Sequence, residues 1–124
     1  MNIEAVFLDV GNTLLYPDPP VGEVYARALR DAGIPAEGEE VHEAFVRAWR
    51  RRSDRLDHRE LEYGRTAEDA MDWWRQVVRE TVQDFGIPDD FEATFQRLWD
   101  HFSEAHAWRL YDDALPAVRA FRDA

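Results

Sequence analysis

The sequence predicts an α/β protein that is mostly α-helical within this chain, with one buried strand followed by five helices. Three observations carry that expectation. Residues Ile3 to Leu8 form a short, largely apolar run bounded by Asp9 and by Gly11-Asn12, which suits a strand buried on both faces of a parallel sheet. From Val21 onward, apolar residues recur at the three- and four-residue spacing of amphipathic helices. A lone strand also needs neighbours, because each buried N–H or C=O left unpaired costs about 1–3 kcal/mol, so partner strands are expected from downstream residues or another chain.

After the strand, Thr13-Leu14-Leu15-Tyr16-Pro17-Asp18-Pro19-Pro20 is dense in proline, and proline turns the residue before it away from helix, so this segment reads as a loop. The first helix places Val21, Val24, Tyr25, Ala28, Leu29 and Ala32 on one face and stops at Gly33 and Pro35. The second carries Val41, Ala44, Phe45, Ala48 and Trp49, then an arginine-rich stretch, and breaks near Tyr63-Gly64. Thr66 is the expected cap of the third, with Asp69 three residues on, and Ala70, Trp73, Trp74, Val77, Val78 and Thr81 follow before Gly86 and Pro88. The fourth opens at Asp89 or Asp90 and stacks Phe91, Phe95, Leu98, Trp99 and Phe102. A last helix, capped by Asp112, tolerates Pro116 in its first turn and is expected to bury Ala114, Leu115, Val118 and Phe121.

Composition narrows function. The chain has 124 residues, long enough for one modest domain that buries roughly two-thirds of its unfolded surface. Its 26 acidic residues face 15 arginines, for a net charge of −11, which opposes binding to nucleic acid or anionic lipid. There is no apolar run near the ~18 residues of a membrane span and no basic flank of a signal peptide. Cytoplasmic residence is the expectation. Cysteine is absent, so covalent chemistry needs another nucleophile, and lysine is absent too.

The segment from Ala5 to Leu15 carries the chemistry: an acid, Asp9, leaves the carboxyl end of a strand and meets a glycine-containing turn, the edge at which open α/β sheets bind ligands. Turn amides can cradle an oxyanion, and a carboxylate can act as nucleophile or bind a divalent cation. Asp9-Val10-Gly11-Asn12-Thr13 resembles the first motif of the haloacid dehalogenase superfamily. The likeness extends through Tyr63-Gly64, Trp73-Trp74 and Trp108 with Asp112 to Phe121, and so covers nearly the whole chain. It points to the branch with an inserted helical cap that includes the rhythmically-expressed-gene-2-like group.

That resemblance implies a Rossmannoid core, of which this chain holds only the first strand and the last helix, with an α-helical cap inserted between them. Residues 1–20 correspond to the first core strand and motif loop, 21–107 to the cap, and 108–124 to the return to the core. Asp9 would be the nucleophile and a ligand of Mg²⁺, with the backbone carbonyl of Gly11 as a second ligand. Gly11, Asn12 and Thr13 would contact a small phosphorylated substrate. Phosphatases of the superfamily carry a second Asp where Gly11 stands. That Asp acts as general acid and base, worth about 10²–10⁴-fold; substrates with good leaving groups depend on it less. The superfamily's second to fourth motifs have no counterpart here, so the chain reads as the amino-terminal portion of a hydrolase, inactive alone. The rival reading is a non-catalytic helical interaction module.

Other residues take plainer readings. Asp112-Asp113 reads as a helix start, and Trp73, Trp74, Phe95 and Trp99 read as core. Arg47, Arg50, Arg51, Arg52 and Arg55 form a solvated face paired with acids. His42, His58, His101 and His106 read as surface histidines without the spacing of a helical zinc site. Apolar surface on the strand and last helix predicts self-association.

Overall fold

A computed structural model describes residues 4–55 and 64–124. Its elements in chain order are β1 (Leu15–Pro17), α1 (Val21–Asp31), α2 (Gly38–Asp54), α3 (Ala67–Val82), α4 (Phe91–Ser103), a 3-10 turn (Ala105–Ala107), β2 (Trp108–Leu110) and α5 (Ala114–Asp123). The expected break of the second helix at Tyr63 and the histidine at 58 lie outside the described residues, as does Ile3.

Helices α1 to α4 form where the apolar spacing places them, and their apolar faces meet in one core. Tyr25, Leu29, Val41, Val78, Val82, Phe95 and Leu98 are its buried centre, with Trp74, Trp99 and Phe102 packed against it. Each large aliphatic side chain buried there contributes about 1.5–3 kcal/mol. Trp74, Phe95 and Trp99 serve packing as expected, whereas Trp73 stands outside the core cluster, edge-on to Trp74 with centroids 5.0 Å apart.

Helix ends follow side-chain chemistry. Gly33 has φ +81°, its N–H donates to the Arg30 carbonyl, and the Ile34 N–H donates to the Leu29 carbonyl. This paired pattern closes a helix around a left-handed residue that glycine adopts without a Cβ penalty. Thr66 accepts from the Asp69 N–H at 3.0 Å, and Asp90 accepts from the Ala93 N–H at 3.0 Å. Between α1 and α2 the backbones approach closely: a Cβ on Gly22 would lie 2.2 Å from the Gly38 carbonyl oxygen.

Three expectations are corrected. Residues 4–10 take no regular secondary structure and are exposed; Phe7 is 95% exposed. The expected strand does not form there because no described strand pairs with it, and an unpaired strand has no backbone hydrogen bonds to hold it. The proline-rich segment read as a loop instead supplies β1, which pairs antiparallel with β2 in the register Leu15 to Leu110, Tyr16 to Arg109 and Pro17 to Trp108. The last helix is preceded by Asp113, not Asp112, without a side-chain cap bond. Only Ala114 of its apolar face is buried, while Leu115, Val118 and Phe121 are exposed.

Candidate functional site

Asp9, Gly11, Asn12 and Thr13 lie in one tight turn leading into β1. Its hub is the Val10 carbonyl, which accepts from the N–H groups of Thr13 (3.3 Å), Leu14 (2.9 Å) and Leu15 (3.2 Å). Such convergence on one oxygen forces the chain to reverse, and Asn12 completes the reversal at φ +58°, a region asparagine tolerates better than most residues. The turn brings the Thr13 hydroxyl onto Asp9: Oγ1 donates to Oδ2 at 2.7 Å. A hydroxyl donating to an ionised carboxylate is a charge-assisted bond, and here it fixes the rotamer of an otherwise exposed side chain.

The other two residues are placed differently. The Asn12 N–H is committed within the turn, donating to the Leu15 carbonyl at 2.7 Å. Gly11 bridges to Leu15, and a Cβ added to it would meet nothing within 4 Å. The space of a side chain is therefore open beside Asp9.

The ribbon of β1 and β2 anchors this turn to the helices. Tyr111 N–H donates to the Leu14 carbonyl at 3.0 Å, and Asp18 N–H donates to the Ala107 carbonyl at 2.9 Å. The Tyr16 and Tyr111 rings pack with centroids 4.8 Å apart, and Arg109 pairs with Asp18 at 2.5 Å. These contacts join residues nearly a hundred positions apart, and nothing in local spacing foretold them. The Trp108 indole N–H extends the anchor to the Phe102 carbonyl at 2.9 Å.

Among the described residues, no group of three or more His, Cys, Asp or Glu is gathered to hold a metal ion. Mg²⁺ demands a nearly octahedral oxygen shell. The Asp9 carboxylate and the Gly11 carbonyl do not by themselves make such a site. Of the arginine face, Arg52 and Arg51 lie on Glu80 at 2.5 and 3.5 Å and Arg47 lies near Asp84 at 3.8 Å.

No family model matches the chain. Over nearly its whole length, however, it is similar to haloacid dehalogenase-like hydrolase domain-containing protein 3: 32% identical to the mouse protein across 92% of this chain. The chain is thus similar to part of these haloacid dehalogenase-like hydrolases. The human protein is 29% identical across 98% of the chain, and the zebrafish (Danio rerio) protein 30% identical across 93%. The chain spans about half the length of these curated relatives, 45% of the mouse, 48% of the human and 47% of the zebrafish protein. Asp9 and Thr13, four positions apart on one turn, are in direct contact. Among the described residues, no helix is long and apolar enough to cross a membrane.

Proposed function

We propose that this chain is the amino-terminal portion of a hydrolase of the haloacid dehalogenase type that acts on a small phosphorylated molecule, with Asp9 as nucleophile. The observation that carries the reading is the 2.7 Å bond from Thr13 Oγ1 to Asp9 Oδ2, which leaves Oδ1 as the attacking oxygen. Oδ1 attacks phosphorus, the bond from phosphorus to the leaving oxygen breaks with its electron pair, and an aspartyl phosphate forms. Water then attacks phosphorus, releasing inorganic phosphate and restoring the carboxylate. With glycine at position 11, the leaving oxygen takes its proton from solvent, so acyl and aryl phosphates are the preferred substrates.

In this reading α1 to α4 form the cap, inserted after the first core strand. The ribbon of β1 and β2 supports it, because both connections to the bundle run side by side at one end, where a body that closes over the turn and excludes water has to be tethered. Mg²⁺ belongs to the proposal only with ligands beyond those in the turn, and the location is cytoplasmic.

A second reading is favoured by Gly11 and by the exposed apolar residues of the amino-terminal segment and α5: a non-catalytic helical interaction module. Hydrolysis of acetyl phosphate and p-nitrophenyl phosphate in the presence of Mg²⁺, compared with the Asp9→Asn variant, tests whether this portion is catalytic. Activity that disappears with Asp9 supports the enzyme. Equal silence from both chains assigns this product to the interaction module or to an inactive portion.

A further inference from the structure

The three described histidines, His42, His101 and His106, all read from sequence as surface residues, do not share one environment. His42 and His106 are exposed, but His101 is half-buried in the last turn of α4. Its Nε2 is buried and has no hydrogen-bond partner among the described residues. The ring stands perpendicular to that of His106 in the 3-10 turn, with centroids 5.5 Å apart, and to that of Phe102, 4.9 Å away. The charged and titratable groups facing it are His106 from the 3-10 turn and Arg27 from α1; its own helix contributes the Phe102 ring.

We propose that His101 and His106 form an acid-sensitive latch between α4 and the returning strand β2, closed while His101 is neutral and opening when it is protonated. A neutral imidazole fits a site with one buried, unbonded nitrogen. Protonation makes that nitrogen a donor with nowhere to donate, beside the Arg27 guanidinium and the His106 ring. The helix carboxyl end favours a cation, a contribution typically of about 0.3–1 kcal/mol. Burial, followed by His106 and then Arg27, outweighs it and holds the His101 pKa below its ordinary value of 6.5.

The sign follows. With the closed-state pKa lowered, the open state binds more protons between that value and 6.5, so the closed state is fully stable above 6.5 and loses stability as pH falls through this window. The opening constant rises by up to about tenfold per pH unit there. What opens is adjacent: the residue after His101, Phe102, accepts the Trp108 indole N–H, and Trp108 faces Pro17 across the ribbon. Acidification thereby loosens the anchor of the turn that carries Asp9. The latch does not depend on the hydrolase reading, since it is a property of the junction alone.

The test is nuclear magnetic resonance of the whole chain, following the His101 ring and exchange of the Trp108 indole proton from pH 8 to 5. The expected result is a His101 titration below 6.5, with indole opening that rises on acidification in the wild type and stays flat in His101→Gln. His106→Gln and Arg27→Met are expected to move the His101 titration upward while amides of α1 remain protected. A His101 titration at or above 6.5 overturns the latch, as does the same acid-induced opening in His101→Gln. If His101→Gln does not fold, a wild-type indole opening that stays flat from pH 8 to 5 overturns the latch by itself.

Discussion

At the scale of single residues, the turn around Asp9 makes two separable predictions. Because a Cβ at Gly11 meets no atom within 4 Å, Gly11→Asp is expected to leave helical content and melting temperature essentially unchanged, checked by circular dichroism. If the hydrolase reading holds, the same variant supplies the missing acid and base, and p-nitrophenyl phosphate turnover should rise by about 10²-fold or more. Thr13→Val removes the donor to Asp9 while keeping the shape; it should change stability little, because the pair is exposed, and on the hydrolase reading its mark is loss of turnover. The sequence made Asp9, Gly11, Asn12 and Thr13 legible as a turn, since an acid, a glycine and an asparagine after an apolar run have few other uses. It could not reveal Val10 as the hub. That role belongs to a backbone carbonyl, which every residue carries, and so leaves no signature in side-chain identity. The environment of His101 was hidden for a related reason: a histidine in a last helical turn looks like any favourable terminal cation until Arg27 arrives from a different helix.

At the scale of elements, the four bundle helices could be read directly because their apolar spacing and their caps point the same way. Thr66 and Asp90 each hold a first-turn N–H, so replacing either by alanine should cost about 1 kcal/mol, measured by urea unfolding with an unchanged slope. Gly22 offers a harsher test. Its added Cβ would collide with the Gly38 carbonyl oxygen and with His42 Cβ, 2.2 and 2.5 Å away, so Gly22→Ala should separate α1 from α2 and cost about 1–3 kcal/mol. The strand could not be read so directly. An apolar run states a preference for burial, but a strand exists only through hydrogen bonds to another strand, and among the described residues none pairs with residues 4–9. Conversely, Leu15-Tyr16-Pro17 became β1 despite its proline, because it sits at the edge of a two-stranded ribbon where an N–H can be missing. Long-range pairing with Trp108–Leu110 made the strand, and such pairing lies outside local pattern.

At the scale of the whole molecule, the apolar residues divide unequally. The bundle encloses its own core, whereas Val6, Phe7 and Val10 at one end of the chain and Leu115, Val118 and Phe121 at the other stay 38–95% exposed. Strand-like and helical patterning explains why sequence assigned Val6, Phe7, Leu115, Val118 and Phe121 to buried faces, and the described residues contain no surface that covers them. Exposed apolar area of this kind drives association, because burying one large side chain releases about 1.5–3 kcal/mol and each 1.4 kcal/mol changes an affinity tenfold. The chain alone is therefore expected to self-associate, seen in sedimentation velocity as a sedimentation coefficient that rises with protein concentration. Replacing Phe7, Val118 and Phe121 together by serine should weaken that association by about a hundredfold or more while the bundle still melts cooperatively, since none of the three belongs to its core. A wild-type chain that sediments as a compact monomer at every concentration would mean that these residues find cover within one molecule, and both the self-association and the interaction-module reading would lose their physical basis.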